Sequence, residues 1–173
     1  HYAENNVSDL EDAIAAGGKV YVGAGTYEIG QVSPAKDLVI IGNGDSVIKS
    51  SAIYGGENAG ILMSGSNDLY VEGVNFTGTR GIVTDTVYAG TITVKDCTFD
   101  GLVTGIYINA AAGGTIEDCA FTDCTAGISA NGLTGDLNIS NSTFRGNGED
   151  IGTTCASFVK VASDTSATVV PYP

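Results

Sequence analysis

Between Asp68 and Phe144 the apolar and polar positions of the chain repeat one short pattern four times. The copies read DLYVEGVNF, TITVKDCTF, GTIEDCAF and DLNISNSTF and end on Phe76, Phe99, Phe121 and Phe144. These anchors lie 23, 22 and 23 residues apart, which is a structural period. Within a copy the apolar positions alternate, as on a strand with one buried face. Five residues before each Phe stand Val71, Val94, Ile116 and Ile139, and two before it stand Val74, Cys97, Cys119 and Ser142. The phase changes at Gly73, Asp96, Asp118 and Asn141, three before each Phe, so each copy reads as strand, bend, strand. A further apolar column, Ile82, Ile106, Ile128 and Ile151, follows each Phe, usually behind a glycine (Gly81, Gly105, Gly127). No helix-length amphipathic segment fits between the copies. Each copy is therefore one coil, stacked directly on the coil before it.

The pattern extends upstream in weaker form. Val20-Tyr21-Val22 with Gly25-Thr26-Tyr27 predicts the first coil, and Leu38-Val39-Ile40-Ile41-Gly42-Asn43-Gly44 predicts the next. Together with the Phe-anchored coils, these segments resemble the pectate-lyase-like β-helix superfamily. The resemblance implies an all-β, single-domain right-handed parallel β-helix of about six to seven coils. It speaks to fold; chemistry must come from particular residues. The β-arch stack is also similar to that of amyloid-like archaeal sheath proteins. Residues 1–18 are expected to form an N-terminal arm and capping helix, and residues 19–173 the coils. Ser8-Asp9-Leu10-Glu11 has the form of a capping box, with Gly17-Gly18 ending the helix after about Ala16. Leu10 and Ile14, four apart, share the face that would plug the first coil. At the other end, Phe158-Val159-Lys160-Val161 and Ala167-Thr168-Val169-Val170 could form last strands, and no cap is evident.

Composition narrows the partners. Twenty acidic against seven basic residues give a net charge of −13, which disfavours nucleic acid and anionic membrane surfaces. No segment is long and apolar enough to span a bilayer as a helix. The chain begins at His1 without Met, as a mature secreted protein would, and Asn6, Asn75, Asn138 and Asn141 open N-glycosylation sequons. An extracellular or cell-surface location is the expectation.

Four cysteines, Cys97, Cys119, Cys124 and Cys155, allow three pairings, and oxidising surroundings favour disulfides. Cys97 and Cys119 share one column of adjacent coils, so they read either as a bonded pair or as stacked buried thiols. Asp96 and Asp118, with Asp100 or Asp123, are candidate Ca²⁺ ligands. Their other reading is a turn ladder with Asn141. Enzymes of the resembled superfamily act on polyuronides through clustered carboxylates and a basic residue on the outward face. Here the outward columns would be Tyr70, Thr93, Thr115, Asn138 and Glu72, Lys95, Glu117, Ser140, the second a ladder of alternating sign. No catalytic constellation, cofactor or zinc site is read from the sequence. The expected function is a secreted structural protein that assembles with copies of itself into a sheath, tube or fibre. The alternative is a carbohydrate-active β-helix, lyase-like or glycan-binding, with Tyr54, Tyr70, Tyr88 or Tyr107 as sugar platforms. The looser stretch from Ala52 to Ser66 is where an inserted ligand loop would lie.

Overall fold

The computed structural model describes residues 2–3, 7–51 and 60–173. In chain order the elements begin with β1 (Tyr2–Ala3), α1 (Val7–Ala16), β2 (Gly18–Val22), β3 (Gly25–Ile29), β4 (Leu38–Ser50), β5 (Ile61–Met63) and β6 (Leu69–Gly78). The regular coils follow as β7 (Arg80–Thr84), β8 (Thr91–Lys95), β9 (Thr98–Asp100), β10 (Thr104–Ile108), β11 (Gly113–Glu117), β12 (Ala120–Thr122) and β13 (Ala126–Ala130). The chain closes with β14 (Leu137–Ser140), β15 (Thr143–Arg145), β16 (Glu149–Thr153), a 3₁₀ turn (Ala156–Phe158), β17 (Val159–Val161) and β18 (Val169–Pro171).

All the strand pairs are parallel, and they build a solenoid with three faces. The first face runs β1-β2-β4-β6-β8-β11-β14-β17, and the second pairs β3, the later part of β4 and of β6, β9, β12 and β15. The third is the six-stranded sheet β18-β16-β13-β10-β7-β5. The columns read from the sequence are the observed registers. Val71, Val94, Ile116 and Ile139 stand in line, as do Ile82, Ile106, Ile128 and Ile151, and all eight are fully buried.

The phenylalanine column is the spine of the core. Rings Phe76, Phe99, Phe121 and Phe144 stack with centroids 4.9, 4.7 and 4.7 Å apart and nearly parallel planes. That spacing is the strand spacing, so one register serves both the backbone ladder and the rings. The glycine ahead of Ile82, Ile106 and Ile128 on the third face has a packing cause. A Cβ on Gly105 would come 2.7 Å from the Gly127 carbonyl and 3.1 Å from the Phe121 ring, and Gly81 is hemmed in likewise by Phe99. The bend before the second face holds a left-handed residue in each of the four Phe-anchored coils. Gly73, Asp96, Asp118 and Asn141 have φ of 72°, 51°, 57° and 44°. Glycine, Asp and Asn are the residues that take this conformation at least cost.

The N-terminal end is closed. Leu10 and Ile14 of α1 are fully buried in the core cluster, and Gly17, at φ 77°, ends the helix with its N–H on the Ala13 and Ile14 carbonyls. The expected capping box is replaced by a tertiary bond: Glu11 Oε2 accepts the Gly30 N–H at 2.9 Å, tying the helix to the end of β3. The arm is tied down as well. Tyr2 and Ala3 pair with Tyr21 and Val22, because the outer edge of β2 offers backbone groups that would otherwise be unpaired.

The last coil is pinched. The aligned inward positions Ile128, Ile151 and Val169 are 23 and then 18 residues apart, so the chain cuts the corner between the second and third faces. Only an isolated bridge, Thr143 to Ser166, continues the second face beyond β15.

Candidate functional site

The first face carries the outward columns that the sequence suggested. Tyr70, Thr93, Thr115 and Asn138 are in register, and so are Glu72, Lys95, Glu117 and Ser140. Tyr70 donates its hydroxyl to Glu72 Oε1 at 2.6 Å, and this bond, more than burial, raises its pKa. At the start of the same face Asp37 accepts the Asp68 N–H at 2.8 Å, while Asp68 accepts both the N–H and the hydroxyl of Thr91. These carboxylates stitch consecutive coils together. Beside them lies a shallow depression of about 270 Å³ lined by residues that include Asp37, Asp68, Tyr70, Thr91 and Thr93.

Of the other tyrosines proposed as platforms, Tyr88 is a correction. It is buried, its hydroxyl bonded to the Asn67 and Thr91 carbonyls, and burial followed by Asp68 and Asp37 pushes its pKa up. The corner from the third face to the first needed a filler, and the ring supplies it. Tyr107 faces outward with the Arg80 guanidinium 5.2 Å from its ring centre. Tyr54 and the segment 52–59 lie outside the described residues.

The aspartates expected to share a cation fall at two corners. Asp96 and Asp118 stack at the bend entering the second face; Asp100 ends β9, and Asp123 follows β12 at the far side of that face. A three-residue strand separates the groups by about 10 Å, whereas a calcium ion gathers its oxygens at about 2.4 Å. Among the described residues no three His, Cys, Asp or Glu side chains converge as metal ligands. Asp118 instead accepts the Asn141 side-chain amide, and Asn141 N–H goes to Asp164 Oδ1 at 2.8 Å. That is the turn ladder of the second reading.

All four cysteines are free thiols, which corrects the expected disulfides. Cys97 and Cys119 do stack, in the column Ser46, Val74, Cys97, Cys119, Ser142. Each thiol, however, donates to the carbonyl two residues back, Cys97 to Lys95 at 3.2 Å and Cys119 to Glu117 at 3.3 Å. Ser142 makes the same bond to Ser140 at 2.8 Å. Side chains that share a direction stay about one strand spacing apart, far beyond a sulfur–sulfur bond of about 2.05 Å. Burial pushes the Cys119 thiol up to about 12, and burial together with Cys119 raises Cys97 as well. Cys124 donates to the Phe99 carbonyl and Cys155 to the Ala130 carbonyl, at different corners of the stack.

Of the sequon residues, Asn138 and Asn141 are exposed. Asn75 is half-buried, its amide donating to the Gly44 carbonyl at 2.7 Å and accepting from Thr98 at 2.6 Å. Asn6 is outside the described residues.

The region that sequence reasoning left least defined is the C-terminal rim. Phe144, Phe158, Val159, Val161, Ala167 and Val169 are only partly buried, although they pack on the core and continue its columns. A groove of about 380 Å³ follows the outer edge of β15, lined by Ser142, Thr143, Phe144, Arg145, Asp164 and Ser166. It exists because the shortened last coil does not cover that edge.

The right-handed β-helix region family matches residues 31–170, which runs from ahead of β4 into β18. The chain belongs to this right-handed β-helix family. No curated protein and no solved structure matches it. Family membership accounts for the architecture of the β-helix. The functional reading rests on the outward ladders and the two ends. No helix among the described residues is long and apolar enough to cross a membrane.

Proposed function

We propose that this β-helix is an extracellular structural protein whose copies assemble into a sheath, tube or fibre. One observation carries the reading: among the described residues the last coil cuts a corner, so that Phe144, Val159, Val161 and Val169 of the core columns stay half-buried and a groove follows the edge of β15. Apolar surface continuous with a core, next to unpaired backbone groups, is a surface suited to another protein. The outward polar groups fit a building role as well. Asn75 with Thr98, Asp68 with Thr91 and Asn141 with Asp118 bond from one coil to the next, three polar pairs that stiffen the stack. Electron microscopy of the purified chain beside size-exclusion chromatography tests the reading. Ordered polymers, unchanged by reductant because the cysteines are thiols, are expected. A monomer at high concentration would sink it.

A second reading, glycan binding, has its own observation in the depression on the first face, where half-exposed Tyr70 adjoins Asp37, Asp68 and Thr93. Retention of the chain on immobilised neutral or uronic glycans, abolished by Tyr70→Ala, is the result that would favour it.

A further inference from the structure

The chain holds three Asn-Gly pairs, Asn43-Gly44, Asn131-Gly132 and Asn147-Gly148. In such a pair the backbone nitrogen of the glycine can attack the side-chain amide carbon of the asparagine, because no glycine side chain shields that nitrogen and the attack is intramolecular. The fold treats the three pairs differently. Asn147 is tied at both ends of its amide: Oδ1 accepts the Cys124 N–H at 2.9 Å and Nδ2 donates to the Phe121 carbonyl at 3.0 Å. Its nucleophile is engaged as well, since the Gly148 N–H goes to the Cys124 carbonyl at 2.9 Å. The Asn131 amide is held likewise, Oδ1 accepting the Thr154 N–H and Nδ2 donating to Ser129 Oγ, both at 3.2 Å.

Asn43 lies where the first face turns into the second. Later coils make this turn on Asp96, Asp118 or Asn141, whereas residues 42–45 of β4 stand opposite Gly73 alone. Asn43, Gly44 and Asp45 therefore bulge from the ladder and are exposed, and a Cβ on Gly44 would meet nothing within 4 Å. The Gly44 carbonyl accepts the Asn75 amide at 2.7 Å, which steadies the pair without touching the reacting atoms. Oδ1 of Asn43 accepts the Asp45 N–H at 2.9 Å. That bond polarises the amide and is aimed at the oxygen on which negative charge gathers when Cγ is attacked. Among the described residues Nδ2 of Asn43 has no hydrogen-bond partner, so the leaving nitrogen is unrestrained.

We propose that Asn43 is a self-modification site, at which the folded chain deamidates through a cyclic imide. The Gly44 nitrogen gives up its proton and bonds to Asn43 Cγ, the Cγ–Nδ2 bond breaks, and Nδ2 leaves as ammonia carrying that proton. Water then opens the imide ring at either carbonyl and leaves aspartate or isoaspartate at position 43. No other reactant is consumed, and each chain gains one negative charge beyond its −13. Isoaspartate also lengthens the backbone, which the bulge absorbs because residues 42–45 keep no register with β6.

Peptide mapping by mass spectrometry, after incubation of the whole chain in neutral heavy-oxygen water, tests this. Position 43 is expected to take up heavy oxygen at least tenfold faster than positions 131 and 147. In urea, where all three pairs share the freedom of an unfolded chain, the rates should converge. On anion exchange an acidic species should grow with time, elute with Asn43→Asp, keep the far-ultraviolet circular dichroism of the fresh chain, and be absent from Asn43→Gln. Uptake at position 43 no faster than at 131 or 147 in the folded chain, or one ratio of rates in the folded and unfolded chain, would overturn the proposal. An acidic species that still forms in Asn43→Gln would place the reaction elsewhere and overturn it too.

Discussion

The first and last coils are built from the same kinds of strand, and they end differently. At the N-terminal end ten residues of helix lie over the first coil and leave Leu10, Ile14, Val20 and Tyr27 without solvent contact. At the other end the chain saves residues by cutting a corner, and Phe144, Val159, Val161 and Val169 stay half-buried although they stand in the same columns as fully buried residues. A coil in the middle of the stack is covered by its neighbours above and below, while a terminal coil has one neighbour and must find its second cover elsewhere. What closes an end is therefore independent of the repeat, and the two ends are where this β-helix can differ from any other stack of similar coils.

The comparison breaks most visibly along the phenylalanine column. Phe121→Ala, with rings stacked on both sides, is expected to cost about 3 to 5 kcal/mol in urea unfolding. Phe144→Ala removes a half-buried ring with one ring neighbour and is expected to cost about half as much. Equal losses would mean that something covers Phe144 as completely as Phe121.

The ends themselves give a smaller effect. Ile14→Ala empties part of the plug and is expected to destabilise the fold by about 2 to 4 kcal/mol, against less than about 1 for Val161→Ala. A rim substitution as costly as the plug substitution would refute the difference between the ends.

Titration separates the covered middle from both. Cys119, raised by burial to about 12 from an ordinary 9.0, stays protonated in the fold where an unfolded chain ionises. Below pH 9 both states hold the proton and stability does not vary. From pH 9 to about 12 the unfolded state loses it first, so stability falls, by about 1.4 kcal/mol per pH unit for each such thiol at most. Unfolding midpoints at pH 8 and pH 10 measure this, and the double variant Cys97→Ala/Cys119→Ala should flatten the dependence. A slope unaffected by that variant would assign the alkaline loss to other groups.

Much of the fold was legible because a solenoid repeats its instructions. Four Phe anchors, the valine and isoleucine columns and the Gly, Asp or Asn at each bend give the register of neighbouring coils directly, since residues at equal phase sit on top of one another. The glycine before Ile82, Ile106 and Ile128 was visible as a pattern, and the carbonyl of the next coil together with the stacked rings explains it. Candidate chemistry was less legible. Whether Asp96 meets Asp100, or Asp118 meets Asp123, depends on how far the chain travels between corners, and the second face holds them apart. Asp118 and Asn141 were readable as a turn ladder because they share a phase.

By itself the sequence determined the period, the inward columns, the bend residues and the helix that opens the chain, all of which follow from alternation and spacing along a single strand of text. Tertiary structure alone decided the rest. It turned Glu11 from a helix cap to the Gly30 N–H, aimed the Cys97 and Cys119 thiols at their own backbone instead of each other, buried Tyr88 in a corner, and pinched the last coil so that its apolar columns end at a rim. The reason is common to all four. Periodicity says which residues lie above one another, but the direction of a side chain and the cover over an end are set by contacts between segments that have no fixed spacing in the chain.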